Sequence, residues 1–202
     1  MSPFFIPEMA ERRSRKISEG FGRESASEKK KRALSILKIL REEYPGARCH
    51  LDYTNALELL IGCILSAQCT DKRVNEVTKD LFRKYPTASH FARADRGVLE
   101  KEIHSCGFYR AKAKSILACA KALVGEYDGE VPASMEKLTK LAGVGRKTAN
   151  VVLGNWFGIP GIIVDTHIMR LSKRLRLTSN TDATKIEFDL RELIPEKDWT
   201  FF

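Results

Sequence analysis

The chain has 202 residues, 43% of them hydrophobic, which is enough to bury a core in one large domain or two small ones and argues against a chain without fixed structure. Lys and Arg total 35 against 26 Asp and Glu, and the resulting formal charge of +9 suits a polyanionic partner, nucleic acid before membrane. The five cysteines, Cys49, Cys63, Cys69, Cys106 and Cys119, are odd in number and form no C-x-x-C pair, so neither a disulfide framework nor a zinc site is indicated and a reducing compartment is expected. No apolar run has the length of a membrane span, and "MSPFFIPEMAERR" lacks the uninterrupted apolar stretch of a signal peptide, so a soluble cytoplasmic protein that makes no use of a membrane is expected.

Residues 1–27, ending "RRSRKISEGFGRESAS", are polar, rich in Ser and Gly and without apolar periodicity, and are expected to form a disordered basic tail. From about Glu28 to Tyr44 the spacing of Leu34, Leu37, Leu40 and Tyr44 predicts a helix with those residues on one face, ended by Pro45 and Gly46. In "NALELLIGCILSAQ", Asn55 as N-cap and Glu58 three residues later suggest a capping box ahead of a strongly apolar core helix. Asp71 is the candidate cap of the next helix, "KRVNEVTKDLFRKY", which Pro86 stops. The segments "SHFARA", "RGVLEKEIHSCG" and "RAKAKSILACAKALVGEY" follow with helical spacing. Nothing alternates as a strand would, so the fold class is all-α, an array of short helices with short loops.

In "MEKLTKLAGVGRKTANVVL" a short helix ends near Leu141, Gly143 and Gly145 bracket Val144 in a tight turn, and a second helix starts near Arg146. The free amides at such a helix start point outward and can cradle a phosphate of the nucleic-acid backbone without reading sequence. A plain helix-turn-helix connection fits the glycines equally well. Arg146 and Lys147 are cations at the positive end of a helix dipole, where acids are favoured. A phosphate can offset that charge, or the environment can favour the free amine of Lys147, a nucleophile able to form a Schiff base with a sugar C1′.

Eighteen residues on, "IPGIIVDTHIMRLSKRL" sets Asp165 between an apolar run and a helix. Asp is among the best N-caps, and the spacing alone favours that role. The alternative is a carboxylate near Lys147 that moves a proton or stabilises an oxocarbenium-like sugar. His167 and Met169 fit local packing.

Together "ILSAQCTD", "CGFYRAKAKSI", "LAGVGRKTANVVL" and "VDTHIMRL" resemble, in order, the motifs of the endonuclease III family of base-excision repair glycosylases, over about Glu28 to the end. The resemblance implies a helix-hairpin-helix glycosylase fold with an incomplete second helical domain. Its parts would be a 28–48 helix belonging to that second domain, a helical barrel at 49–160 with the hairpin at about 134–156, and the start of the C-terminal domain at 161–202. It implies Lys147 as the nucleophile at C1′, Asp165 as the essential carboxylate, and Gln68 as the residue entering the gap left by the flipped base. It also implies a loop of Cys106, Gly107 and Phe108 wedged against the opposite strand, with Gly143, Val144, Gly145 and Arg146 on the DNA backbone. Amide and aromatic side chains suit the gap and the wedge. The implied activity is a DNA N-glycosylase with AP lyase activity that removes oxidised pyrimidines from double-stranded damaged DNA as a monomer and cleaves 3′ to the abasic site by β-elimination.

Two features depart from the family. Ala142 stands where relatives carry proline, and the four C-terminal cysteines spaced C-x6-C-x2-C-x5-C that ligate a 4Fe-4S cluster are absent. No cofactor is therefore assigned to this chain, the cluster being expected only in a full-length form, and the apolar ending "EKDWTFF" reads as a truncation. Truncation would leave Leu34, Leu37 and Leu40 with Trp199, Phe201 and Phe202 partly uncovered. The rival readings are a monofunctional mismatch adenine glycosylase, against which Lys147 argues, and a non-enzymatic helix-hairpin-helix DNA-binding protein, against which Asp165 and Gln68 argue.

Overall fold

The computed structural model describes residues 24–202, so the tail expected at 1–27 lies outside the described residues up to position 23. Its last residues belong to the fold. Ser25 caps α1 (Ala26–Glu43) in a reciprocal capping box with Glu28, and Glu24 pairs with Arg32 of the same helix at 2.7 Å. After α1 come α2 (Ala56–Ser66), α3 (Asp71–Lys84), α4 (Ala88–Ala92), α5 (Arg96–Glu102), α6 (Tyr109–Glu126), α7 (Met135–Lys140), α8 (Arg146–Asn155), α9 (Thr166–Arg174) and α10 (Ala183–Leu193). Single 3₁₀ turns lie at His104–Cys106 and Glu196–Asp198, and no strand occurs among the described residues. The all-α expectation holds.

Asn55 caps α2 as its sequence suggests, accepting from the Glu58 amide, but the Glu58 carboxylate reaches back one residue further, to the amide and hydroxyl of Thr54. The cap of α3 is Thr70, and Asp71 is the first helical residue, where its charge still favours the positive helix end. Every residue from Leu59 to Leu65 is buried. A helix that is apolar all round belongs at the centre of a core, and α2 lies there, packed among α3, α6 and α8.

A second, smaller core joins Ala33 and Leu37 of α1 to Ile162, Val164, Leu177, Ile186, Leu190, Leu193 and Ile194. The N-terminal helix thus packs on residues far along the chain. Its buried face is rotated from the expected one: Ala33 and Leu37 are inside with Ile36 partly covered, whereas Leu34 and Tyr44 are exposed. Ala33 carries a weak apolar signal in sequence, yet its small side chain lets α1 approach α10 closely. Trp199, Phe201 and Phe202 pack partly buried against this core, with Arg41 over the Phe201 ring and Arg191 over the Trp199 ring.

Candidate active site

The hairpin is built from α7, which Ser134 caps, and α8. Between them the Val144 amide donates to the Leu141 carbonyl at 3.1 Å, closing the turn. Gly143 sits at φ +79°, and a Cβ there would lie 2.8 Å from the Ser115 Cβ, so both its backbone and its neighbours demand glycine. Gly145 differs: its φ of −94° is ordinary and a Cβ would meet nothing within 4 Å. No side chain caps α8, which leaves its first amides as donors at the exposed lip of the turn. Val144 is buried, so only its backbone is near that lip.

The two cations at this helix start are answered by two carboxylates from later in the chain. Arg146 donates Nε and Nη2 to the Glu187 carboxylate at 2.9 and 2.8 Å, and its guanidinium also lies over the Phe188 ring. Glu187, 3% exposed, takes a further bond from Arg191 at 2.5 Å. Burial alone would raise the Glu187 carboxyl, but the hydrogen bond from Arg146 and the neighbouring positive charges outweigh it and hold it below the usual range. The same hydrogen bond raises the Arg146 guanidinium. The Arg146 side chain is thus engaged within the protein in a bidentate pair.

Lys147 is free of that cluster. Its side chain is 56% exposed, and Nζ lies 3.9 Å from Oδ2 of Asp165. The other oxygen of Asp165 caps α9, accepting from the amides of His167 at 2.8 Å and Ile168 at 2.9 Å. Cap and lysine partner are therefore one residue, with one oxygen for each task. Around the pair opens a cleft of about 800 Å³, lined also by Gln68, His50, Cys49, Cys63 and Asp71. Burial pushes the Cys63 thiol up to about 12, so it is a neutral wall group.

Gln68 follows the end of α2, exposed, in the left-handed region at φ 52°, which is costly for a residue with a Cβ. Its side chain is exposed and is not a buried amide serving the helix end. Gly107, at φ 70°, and Phe108, at φ 46° and 66% exposed, form the turn into α6 and are not part of the cleft lining. Lys112 carries no functional signal in the sequence. Buried in α6, it donates to the carbonyls of Leu65 at 2.7 Å and Cys106 at 2.8 Å, tying the Gln68 segment to the Phe108 segment. Among the alternating cations of "RAKAKSI" nothing marks it as the inward one.

A hairpin whose uncapped helix presents a lysine to a carboxylate across an open cleft defines a helix-hairpin-helix glycosylase, and residues 61–196 match the family described as HhH-GPD superfamily base excision DNA repair protein. The chain is 56% identical over 175 residues to endonuclease III of Synechocystis sp., covering 86% of this chain and 80% of that protein. It is 45% identical over 158 residues to endonuclease III of Bacillus subtilis, covering 78% and 72% respectively. A solved structure described as a trapped endonuclease III-DNA covalent intermediate superposes with a TM-score of 0.83 at 43% identity, over 85% of this chain and 81% of that one. The chain belongs to the endonuclease III family, base-excision repair enzymes that combine DNA glycosylase and AP lyase activity.

The family's 4Fe-4S cluster does not fit these residues. All five cysteines fall between positions 49 and 119, and among the described residues no group of three or more His, Cys, Asp or Glu is arranged to hold a metal ion. Among the described residues no helix is long and apolar enough to cross a membrane.

Proposed function

We propose that Lys147 is the nucleophile and Asp165 its carboxylate partner in removing an oxidised pyrimidine from duplex DNA. The observation that carries this is the 3.9 Å approach of Nζ to Asp165 Oδ2 at the rim of an open cleft. The extruded nucleotide enters the cleft with C1′ against Nζ. Asp165 accepts a proton from the ammonium, and the freed amine attacks C1′ while the glycosidic bond breaks, its electrons leaving with the base. After nitrogen loses a second proton its lone pair forms the C1′=N bond of a protonated imine, the C1′–O4′ bond breaks, and the ring oxygen takes up a proton. Removal of a C2′ proton then expels the 3′ phosphate, and water releases Lys147.

The other roles follow from where side chains are free. Gln68, exposed and held in a left-handed turn, fills the gap in the stack, and Phe108 wedges the opposite strand. Gly143, Val144, Gly145 and Arg146 contribute backbone rather than side chains to the phosphate grip. The core that joins α1 to residues after 160 supports a second helical unit flanking the barrel, with the cleft between them. The enzyme acts as a cytoplasmic monomer on double-stranded DNA.

Borohydride reduction on a duplex with an abasic site tests the central assignment. A covalent protein-DNA product is expected, and Lys147→Ala should abolish it while leaving binding in place. An undiminished yield from the variant would assign the nucleophile elsewhere.

A further inference from the structure

Among the described residues Lys112 is the only buried lysine or arginine, 5% exposed. It also stands in the first turn of α6, at the positive end of the helix, where a cation is disfavoured. Burial pulls its pKa below the ordinary lysine value. Both costs fall on a side chain to which the catalytic scheme gives no part.

What Lys112 holds are the two turns that carry the probing residues. Its backbone amide donates to the Phe108 carbonyl at 3.0 Å and its Nζ to the Cys106 carbonyl at 2.8 Å, so one residue grips both ends of the turn from Cys106 to Phe108. Nζ also donates to the Leu65 carbonyl at 2.7 Å, 47 positions away. That carbonyl belongs to the last turn of α2, where the helix supplies no partner of its own. The turn with Gln68 follows at once, closed by the Cys69 amide on the Ser66 carbonyl at 3.0 Å. Gln68 and Phe108 are two of the four described non-glycine residues with a positive φ, at 52° and 46°, a backbone state that persists only where its surroundings fix it.

We propose that Lys112 is a positioning residue for base extrusion: it fixes the spacing of the Gln68 and Phe108 turns, so that amide and ring enter the duplex together at one base step. This rests on the roles proposed above for Gln68 and Phe108. An ammonium suits the task because both carbonyls lie at the ends of helical turns, Leu65 in α2 and Cys106 in the 3₁₀ turn, and the end of a helix favours a cation.

Extrusion breaks a base pair and its stacking, and insertion offsets that loss only if both probes reach the same step. The two probes come from separate segments of the chain, so the spacing between the segments decides whether they do. A misplacement of about 1 Å can cost roughly 100-fold in rate. The hairpin grip on the backbone lies outside this linkage and should not depend on it.

The test is a pair of double-substitution cycles in the full chain. Single-turnover excision from a duplex carrying an oxidised pyrimidine is measured for the wild type, Gln68→Ala, Phe108→Ala and the two combined, then for the same four on a Lys112→Met background. With Lys112 present the combined loss should differ from the product of the single losses by about 3-fold or more, and on the Lys112→Met background it should equal the product. Lys112→Met alone should slow excision about 10- to 100-fold. Borohydride trapping at a preformed abasic site, which has no base to extrude, should suffer far less, by no more than about twofold. If Lys112→Met does not fold, Lys112→Gln, a bond shorter and uncharged, takes its place with the same outcomes expected. Equal slowing of excision and trapping, or the same coupling on both backgrounds, would show a merely structural lysine and overturn the proposal. A wild-type chain that forms no borohydride adduct would instead overturn the proposed function on which it rests.

Discussion

Asp165→Asn separates the two tasks that the structure assigns to one carboxylate. Oδ1 caps α9 through two amide bonds, and Asn supplies the same acceptor with equal cap preference, so that contribution is retained. What is lost is the partner of Lys147 at Oδ2, an ion pair at 3.9 Å between side chains 56% and 30% exposed. Pairs this open contribute about 0 to 1 kcal/mol, which for a chain of this size moves the melting temperature by no more than about 2 to 4 °C. Asp165→Ala removes cap and pair together and should cost about 1 to 2 kcal/mol more than Asn. Excision should fall about 10²- to 10⁴-fold in both variants, the usual weight of a positioned proton-transfer group. Thermal melts and single-turnover excision on one damaged duplex measure both quantities. If Asn keeps the wild-type rate while Ala loses stability and rate in proportion, Asp165 is a cap and nothing more.

Three further outcomes follow from the geometry. Gly143→Ala should destabilise by about 2 to 4 kcal/mol, from the left-handed backbone and the contact with Ser115, and adding Ser115→Gly should recover only the contact part in a chemical-denaturation series. Glu187→Gln should cost about 3 kcal/mol at neutral pH by leaving Arg146 and Arg191 short of a counter-charge. Because the folded Glu187 carboxyl titrates below its ordinary range, its contribution is complete above a pH of about 4.3 and is lost as pH falls through the folded value. The variant's melting temperature should lack that acid limb, and parallel pH profiles would refute the assignment. Lys112→Met should leave two buried carbonyls unsatisfied, at about 1 to 3 kcal/mol each, and should raise amide exchange at both the Gln68 and the Phe108 turns. Faster exchange at only one turn would show that the lysine does not tie them together.

What could be read from sequence was local. The position of α2, the end of α3 before Pro86 and the hairpin all follow from capping residues, breakers and apolar spacing within a few positions. Where two cap-forming residues adjoin, as at Thr70 and Asp71, the sequence does not choose between them. Helix-end charge singled out Lys147, and resemblance to a family supplied Gln68 and favoured a catalytic Asp165 over a plain cap; the cleft brings the three together. Neither signal supplied the division of Asp165 between two tasks. The pairing of Arg146 was not legible because its partner, Glu187, is 41 positions away, and the burial of Lys112 was not because it depends on carbonyls from two other segments.

The cations at the start of α8 pose a question that their two partners answer differently. Position 146 holds the side chain that cannot lose its proton, and it meets a buried carboxylate in two well-formed bonds with a second guanidinium alongside. That is an anchor, pinning the hairpin to α10. Position 147 holds the side chain that can be deprotonated and can react, and it meets an open carboxylate at a distance too long for a hydrogen bond. Exchanging the partners would defeat both: a lysine buried against Glu187 could not reach a sugar, and an arginine facing Asp165 has no amine to give. Glu187 and Asp165 both lie beyond residue 160, so the hairpin alone does not complete the site. In the proposed mechanism the C-terminal helices complete the centre by setting Asp165 Oδ2 against Lys147.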